Sequence, residues 1–161
     1  MFQAVHTDED IDEVVKIAHP IWIEHYTPII GIEQVEYMLE NLHSKENIKE
    51  DIVEKGYLYF LIKTEQTIGY IGLQISEDKL FLSKIYIASG ARGQGVGRLA
   101  MDYIKSLAKQ HKLKKISLTV NKNNTDSITA YQKIGFAKTA DVCADIGGGF
   151  VMDDYLMELE F

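Results

Sequence analysis

A mixed α/β fold, with helices packed on one central sheet, is predicted by three features of the sequence. Apolar residues recur at helical spacing in five separate segments. Between Gly56 and Ala88 the period switches to the alternation of strands. After Leu80 a strand, a glycine-rich loop and an amphipathic helix follow without a break, which is a strand-loop-helix unit in the second half of the chain.

Each element follows from local chemistry. Phe2 to Val5 is a short strand candidate. Thr7-Asp8-Glu9-Asp10 supplies the side-chain oxygens that meet orphan N–H groups at a helix start, and Ile11, Val14, Val15 and Ala18 then share one face. Pro20 and Pro28 bracket Ile21 to Thr27, which reads as a helix end or turn, because an internal proline removes a donor and clashes with the preceding turn. Gly31 precedes a second helix with Val35, Met38, Leu39 and Leu42 on its stripe, and Glu46 to Lys55 is a short polar third.

Tyr57–Lys63 and Thr67–Ile75, joined by Thr64-Glu65-Gln66, form an antiparallel hairpin, and Leu80 to Ala88 is a third β-rich run. Leu99, Tyr103, Ile104 and Leu107 mark the next helix, ending near His111. Lys115 to Val120 alternates as a strand, and Thr125 to Ile134 is a helix stopped by Gly135. Phe136 to Val142 and Val151 to Phe161 close the sheet on either side of Gly147-Gly148-Gly149.

The 161 residues suit one domain, 1–161, and area scaling predicts that roughly 69% of the unfolded surface is buried, which the 46% apolar content can supply. Lys plus Arg number 17 and Asp plus Glu 24, a net charge of −7, which opposes general attraction to nucleic acid and suits a cationic partner better. Cys143 stands alone, so no internal disulfide forms, a reducing compartment is the default, and the residue reads as a small buried hydrophobe. The start lacks a basic and apolar leader, and the longest apolar run, Tyr57 to Ile62, is far below the roughly 20 residues of a membrane span. A soluble cytoplasmic protein without a membrane or nucleic-acid partner is the expectation. The five histidines show no paired metal spacing, so neither a metal nor a covalent intermediate is expected.

The loop Ser89-Gly90-Ala91-Arg92-Gly93-Gln94-Gly95-Val96-Gly97-Arg98 carries the strongest chemical signal. Glycines at 93, 95 and 97 let successive backbone N–H groups turn toward one point, where the helix N-terminus adds its partial positive charge. Arg92 and Arg98 frame the loop, so a diphosphate is the expected guest, and a flexible turn with a helix cap is the plainer alternative. Gly95-Val96-Gly97-Arg98-Leu99-Ala100 also fits a dinucleotide fingerprint, but the next strand ends Val120-Asn121-Lys122-Asn123 without the acid that would grip ribose. No Gly-Lys-Ser/Thr follows, which excludes the triphosphate loop.

Arg92-x-x-Gly95-x-Gly97 resembles the acetyl-CoA loop of the GNAT superfamily of N-acetyltransferases. Asn124-x-x-Ser127-x-x-x-Tyr131-x-Lys133-x-Gly135-Phe136 resembles a second motif of that family, with Ser127 where alanine is commoner. The resemblance covers residues 1–161 in element order and implies a mixed, mostly antiparallel central sheet flanked by helices. It implies acetyl-CoA as cosubstrate and direct transfer of the acetyl group to a primary amine. It further implies that Ile85, Tyr86 and Ile87 offer backbone hydrogen bonds to the pantetheine arm, with one N–H, that of Ile87, facing the thioester oxygen. Arg92, Gly93, Gln94, Gly95, Val96, Gly97 and Arg98 would hold the diphosphate. A CoA-binding module without catalysis is the competing class.

Asn124 and Tyr131 are seven residues apart, about 700° of helical turn, and so share a face. Tyr131 is the candidate partner of the departing thiolate, or alternatively a packing tyrosine. A phenol of pKa about 10 donating to a thiol of about 8.5 favours hydrogen-bond stabilisation over complete transfer. Lys133 either meets a CoA phosphate or complements the helix end, and Asn124 either caps the helix or touches the cofactor.

The acceptor side of such a fold draws on Ile21 to Tyr26 and Phe150 to Tyr155, which makes Trp22, Glu24, His25, Tyr26 and Asp153 candidate base or substrate contacts. These stretches also resemble PaiA-type polyamine acetyltransferases, and a groove of acids and aromatics would attract such a polycation. A peptide N-terminal amine or another small amine fits the same features, and a homodimer is compatible with them.

Overall fold

The computed structural model describes residues 1–161 and has the mixed architecture expected. In chain order the elements are β1 (Phe2–Ala4), α1 (Asp8–Ile30), α2 (Ile32–Asn41), α3 (Lys45–Val53), β2 (Tyr57–Lys63), β3 (Thr67–Ile75) and β4 (Lys79–Ile87). A single 3-10 turn at Ser89–Ala91 leads to α4 (Val96–Gln110), β5 (Lys115–Asn121), α5 (Thr125–Ile134), β6 (Ala137–Gly147) and β7 (Phe150–Glu160). The seven strands form one sheet in the order β1-β2-β3-β4-β5-β7-β6. Only β4 and β5 run parallel; every other neighbouring pair is antiparallel.

Two apolar cores lie on the two faces of this sheet. One packs α4 residues Ala100, Met101 and Ile104 against Leu73, Leu80, Leu82 and Leu118. The other packs α1 and α2, through Val14, Ile21, Trp22, Val35 and Leu39, on Tyr59, Leu61 and Tyr70. Capping boxes start α1, between Thr7 and Asp10, and α3, between Ser44 and Asn47.

Three expectations are corrected. The segment between Pro20 and Pro28 is neither helix end nor turn, since α1 runs through both prolines to Ile30. Burial of Ala18 on one side of Pro20 and of Ile21 and Trp22 on the other outweighs the roughly 3 kcal/mol cost of an internal proline. On α4 the buried face is Val96, Ala100, Met101, Ile104 and Ala108, a stripe rotated from the expected one, and Leu99 is 49% exposed. Cys143 is exposed on the outermost strand, β6, which extends past Val142 to Gly147.

The feature that makes a site is a parting of strands. β4 and β5 are paired only from Lys79↔Lys115 to Phe81↔Ser117. Beyond that point β4 stays with β3 as far as Ile87, and β5 stays with β7 as far as Asn121, so a gap opens inside the sheet. A register shift opposite Gly72 and Leu73 leaves Ser83 as an extra residue in β4, a bulge that bends the strand away from its parallel neighbour. It also inverts the alternation. Leu80 and Leu82 face α4, and after the bulge Ile85 and Ile87 do so, which turns Lys84 and Tyr86 toward α1 and α2.

Candidate active site

The gap opens into a cavity of about 700 Å³, bounded by Trp22, His25 and Tyr26 of α1, by the edge of β4 from Phe81 to Ile87, and by Asn124 and Tyr131 of α5. A second groove of about 660 Å³ runs between α4 and α5 past Gly97, Arg98, Lys105 and Lys133. Both are lined by Ile85, Ile87 and Tyr131, so the tyrosine stands where the two meet.

The glycine-rich loop has the geometry its sequence demands. Gly93 and Gly95 have φ of 77° and 79°, the left-handed region, and Gly95 caps α4 without any side-chain bond to the first N–H groups of the helix. Those donors are available to an anion. Val96 turns its side chain into the core, so it has only its N–H to offer, and Gln94 is turned back on Gly90, 3.5 Å from its carbonyl. Arg92 Nε donates to the Ile87 carbonyl at 3.1 Å, which ties the loop to the end of β4 while the residue lines the cavity.

The α1 wall is aromatic. Tyr26 and Tyr86 share a hydrogen bond of 2.7 Å, and Trp22 Nε1 donates to Tyr70 Oη at 2.8 Å. Burial raises the Tyr26 phenol to about 12 and the Tyr86 phenol well above its ordinary value. Tyr131 differs from both: burial, then the neighbouring Tyr26, push its phenol up, but no protein group bonds its hydroxyl. It is a protonated donor on the wall shared by the two cavities, held by an edge-to-face contact with Phe136 at 5.7 Å.

Asn124 occupies the cap position of α5 but makes no capping bond with its side chain. Its Nδ2 lies 3.1 Å from His25 Nε2 instead and donates to it, leaving the ring proton on Nδ1. Burial and then the Arg92 charge lower the His25 pKa, so the ring stays neutral at neutral pH and its Nε2 is already engaged. Lys133 sits in the last turn of α5 and on the second groove, which leaves both of its expected roles geometrically open.

Two acceptor candidates are not brought to the cavity. Glu24 is exposed on α1 outside it, and Asp153 points outward, 2.9 Å from Lys122 Nζ. Asp154, one residue on, is the carboxyl that faces in. It is only 7% exposed, and burial followed by the Asp153 charge raises its pKa to about 6. Strand alternation was the signal available: Asp154 has the parity of Met152, which packs toward α1 and α2. Lys84 was also missed. No group of three or more His, Cys, Asp or Glu side chains is gathered closely enough to hold a metal ion.

Comparison with known proteins places this geometry. The chain is 25% identical over 150 residues to the spermidine N(1)-acetyltransferase of Thermoplasma acidophilum, covering 90% of this chain and 91% of the relative. It is 27% identical over 94 residues to a putative ribosomal protein bS18-alanine N-acetyltransferase of Bacillus subtilis, covering 57% of this chain and 62% of that one. The crystal structure of the PaiA N-acetyltransferase from Thermoplasma acidophilum in complex with coenzyme A superposes with a TM-score of 0.81 at 22% identity, over 100% of this chain and 99% of the other. The Acetyltransferase (GNAT) family pattern matches residues 16–136, well over half of the sequence, and the chain therefore belongs to that family.

Proposed function

We propose that the protein transfers the acetyl group of acetyl-CoA to a small primary amine by direct attack in the gap between β4 and β5. The observation that carries this reading is the Tyr131 hydroxyl, unpartnered at the junction of the two cavities. The groove past Arg98, Lys105 and Lys133 suits the anionic part of the cosubstrate, together with the backbone of Arg92 to Gly97. The unpaired edge of β4 at Ile85, Tyr86 and Ile87 suits an amide-containing arm laid along it as an extra strand, with an N–H left for the thioester oxygen.

On the acceptor side Asp154 holds the amine as an ion pair and accepts its proton. An alkylammonium of pKa about 10 is roughly four units too weak an acid to give its first proton to Asp154, so that proton goes to solvent and the small neutral fraction carries the lone pair that attacks. Asp154 accepts the second proton as the N–C bond forms and the nitrogen turns acidic. Tyr131, its phenol raised by burial, stabilises the departing thiolate by donating a hydrogen bond rather than by giving up its proton outright. The spermidine relative supports an amine acceptor, and Trp22, Tyr26 and Tyr86 supply aromatic surface for an alkylammonium.

Tyr131→Phe tests the assignment, since it removes one oxygen and keeps the ring on Phe136. The single-turnover rate should fall about 10- to 1,000-fold with acetyl-CoA affinity almost unchanged. A wild-type rate in that variant refutes the role, and acetyl-CoA binding without thiol release across a panel of amines would mark a binding module instead.

A further inference from the structure

Two side chains of opposite charge stand in the cavity wall without a counter-ion. Asp154 on β7 and Lys84 on β4 project from the same face of the sheet, from strands that flank β5 and the gap. Neither takes part in an ion pair. Lys84 is the more conspicuous. Its Nζ donates to Ser83 Oγ at 2.9 Å, one bond for a group with three donors.

Its surroundings hold little to balance a charge. His43, stacked on Trp22 at 4.7 Å and bonded through Nε2 to Tyr70 Oη at 3.0 Å, is kept neutral by burial and by Lys84 itself. Asp51 is the one carboxylate whose field reaches Lys84, and it already engages Lys55 at 3.7 Å and the Tyr59 hydroxyl at 3.4 Å. Burial wins over Asp51 and lowers the Lys84 pKa to about 8, so at neutral pH the group is still mostly a cation, costly to leave alone.

We propose that Lys84 Nζ and Ser83 Oγ form an anion subsite on the acceptor side of the cavity, so that the preferred acceptor is an amine that also carries a carboxylate. The inference rests on the acetyltransferase reading for the amine end alone. One ammonium and one hydroxyl match the charge and acceptor pattern of a single carboxylate. Strands β4 and β7 lie two spacings apart, about 10 Å before the gap widens them, and a lysine side chain recovers about half of that. The acceptor's amine and acid are therefore separated by several bonds, as in a long ω-amino acid or a short peptide. A polycation would place like charge against Lys84, which sets this class against the polyamines.

Matched acceptors test the subsite. With 6-aminohexanoate and glycylglycine, thiol release from acetyl-CoA should show kcat/KM at least 10-fold above that for the corresponding amides and above that for spermidine. Lys84→Met should abolish the acid preference, so that acid and amide are acetylated alike, Lys84→Gln should match it, and Lys84→Arg should retain part of the preference. Phosphoethanolamine outperforming the carboxylates would overturn the carboxylate assignment. Equal rates for acid and amide in the wild type, or a preference that survives Lys84→Met, would overturn the subsite. Because Trp22 is the chain's single tryptophan and lines the cavity, its fluorescence reads binding without turnover. A saturable change with 6-aminohexanoate, lost in Lys84→Met, would uphold the subsite even if no amine were acetylated; no Lys84-dependent change in either readout would overturn it.

Discussion

Replacing Asp154 by asparagine should move stability and activity in opposite directions. The side chain is 7% exposed, makes no ion pair, and has its pKa raised from 3.8 to about 6, with desolvation ahead of the Asp153 charge and Lys122 opposing both. Between those two values the folded protein binds more protons than the unfolded chain, so stability falls as pH rises from about 4 to 6, and the penalty is complete above pH 6. Roughly two units correspond to about 3 kcal/mol, which access of solvent from the cleft reduces to about 1–2 kcal/mol. Asparagine removes the charge at constant shape. Thermal melts should therefore place Asp154→Asn about 3–6 °C above the wild type at pH 8, with the gap closing toward pH 4. The same variant should lose about 100-fold or more in kcat/KM and lose the rise in rate through pH 6. A variant that melts lower than the wild type at pH 8, or a gap independent of pH, would show that the carboxylate is a satisfied structural partner and would refute the reasoning.

Other outcomes follow from the loop and the last hairpin. Gly95→Val should destabilise the fold by about 1–3 kcal/mol through its φ of 79°, since no neighbour lies within 4 Å of an added Cβ, and should weaken acetyl-CoA binding by much more in a calorimetric titration. Gly148→Val places a Cβ 2.7 Å from Tyr37 Cε2 at a φ of 62°, which lifts the hairpin from α2. Acceptor KM should rise about 10-fold while acetyl-CoA affinity stays within about 2-fold, as read by steady-state kinetics and titration.

How far the sequence could be read depended on how local each device is. The glycine-rich loop and the α5 face are written in consecutive residues, where glycine conformation and helical spacing leave few alternatives, so Gly95 opens α4 with a positive φ and Asn124 and Tyr131 line the same cavity. The acceptor side is assembled from distant strands and depends on parity. Asp153 and Asp154 differ by one position, and only pairing with Asn121 and Val142 decides which of them looks inward. Lys84 was hidden more deeply. Strict alternation from Leu80 and Leu82 would bury it against α4, and the Ser83 bulge that reverses this leaves no composition signal. In α1 the two prolines predict a break, while packing of Ile21 and Trp22 carries the helix through them.

The contact between the last hairpin and α2 also bears on how the molecule is put together in time. Tyr37 Oη donates to the Ile146 carbonyl at 2.8 Å and Gln34 Nε2 to that of Val151 at 2.9 Å, across separations of 109 and 117 residues. Closing such loops is entropically costly and slow beside the contacts among β3, β4 and α4. During synthesis β3, β4 and α4 emerge, and can pack, before β7 slots between β5 and β6. The two sides of the cavity thus form in a fixed order, and the inward-facing Asp154 arrives with the strand that completes the sheet.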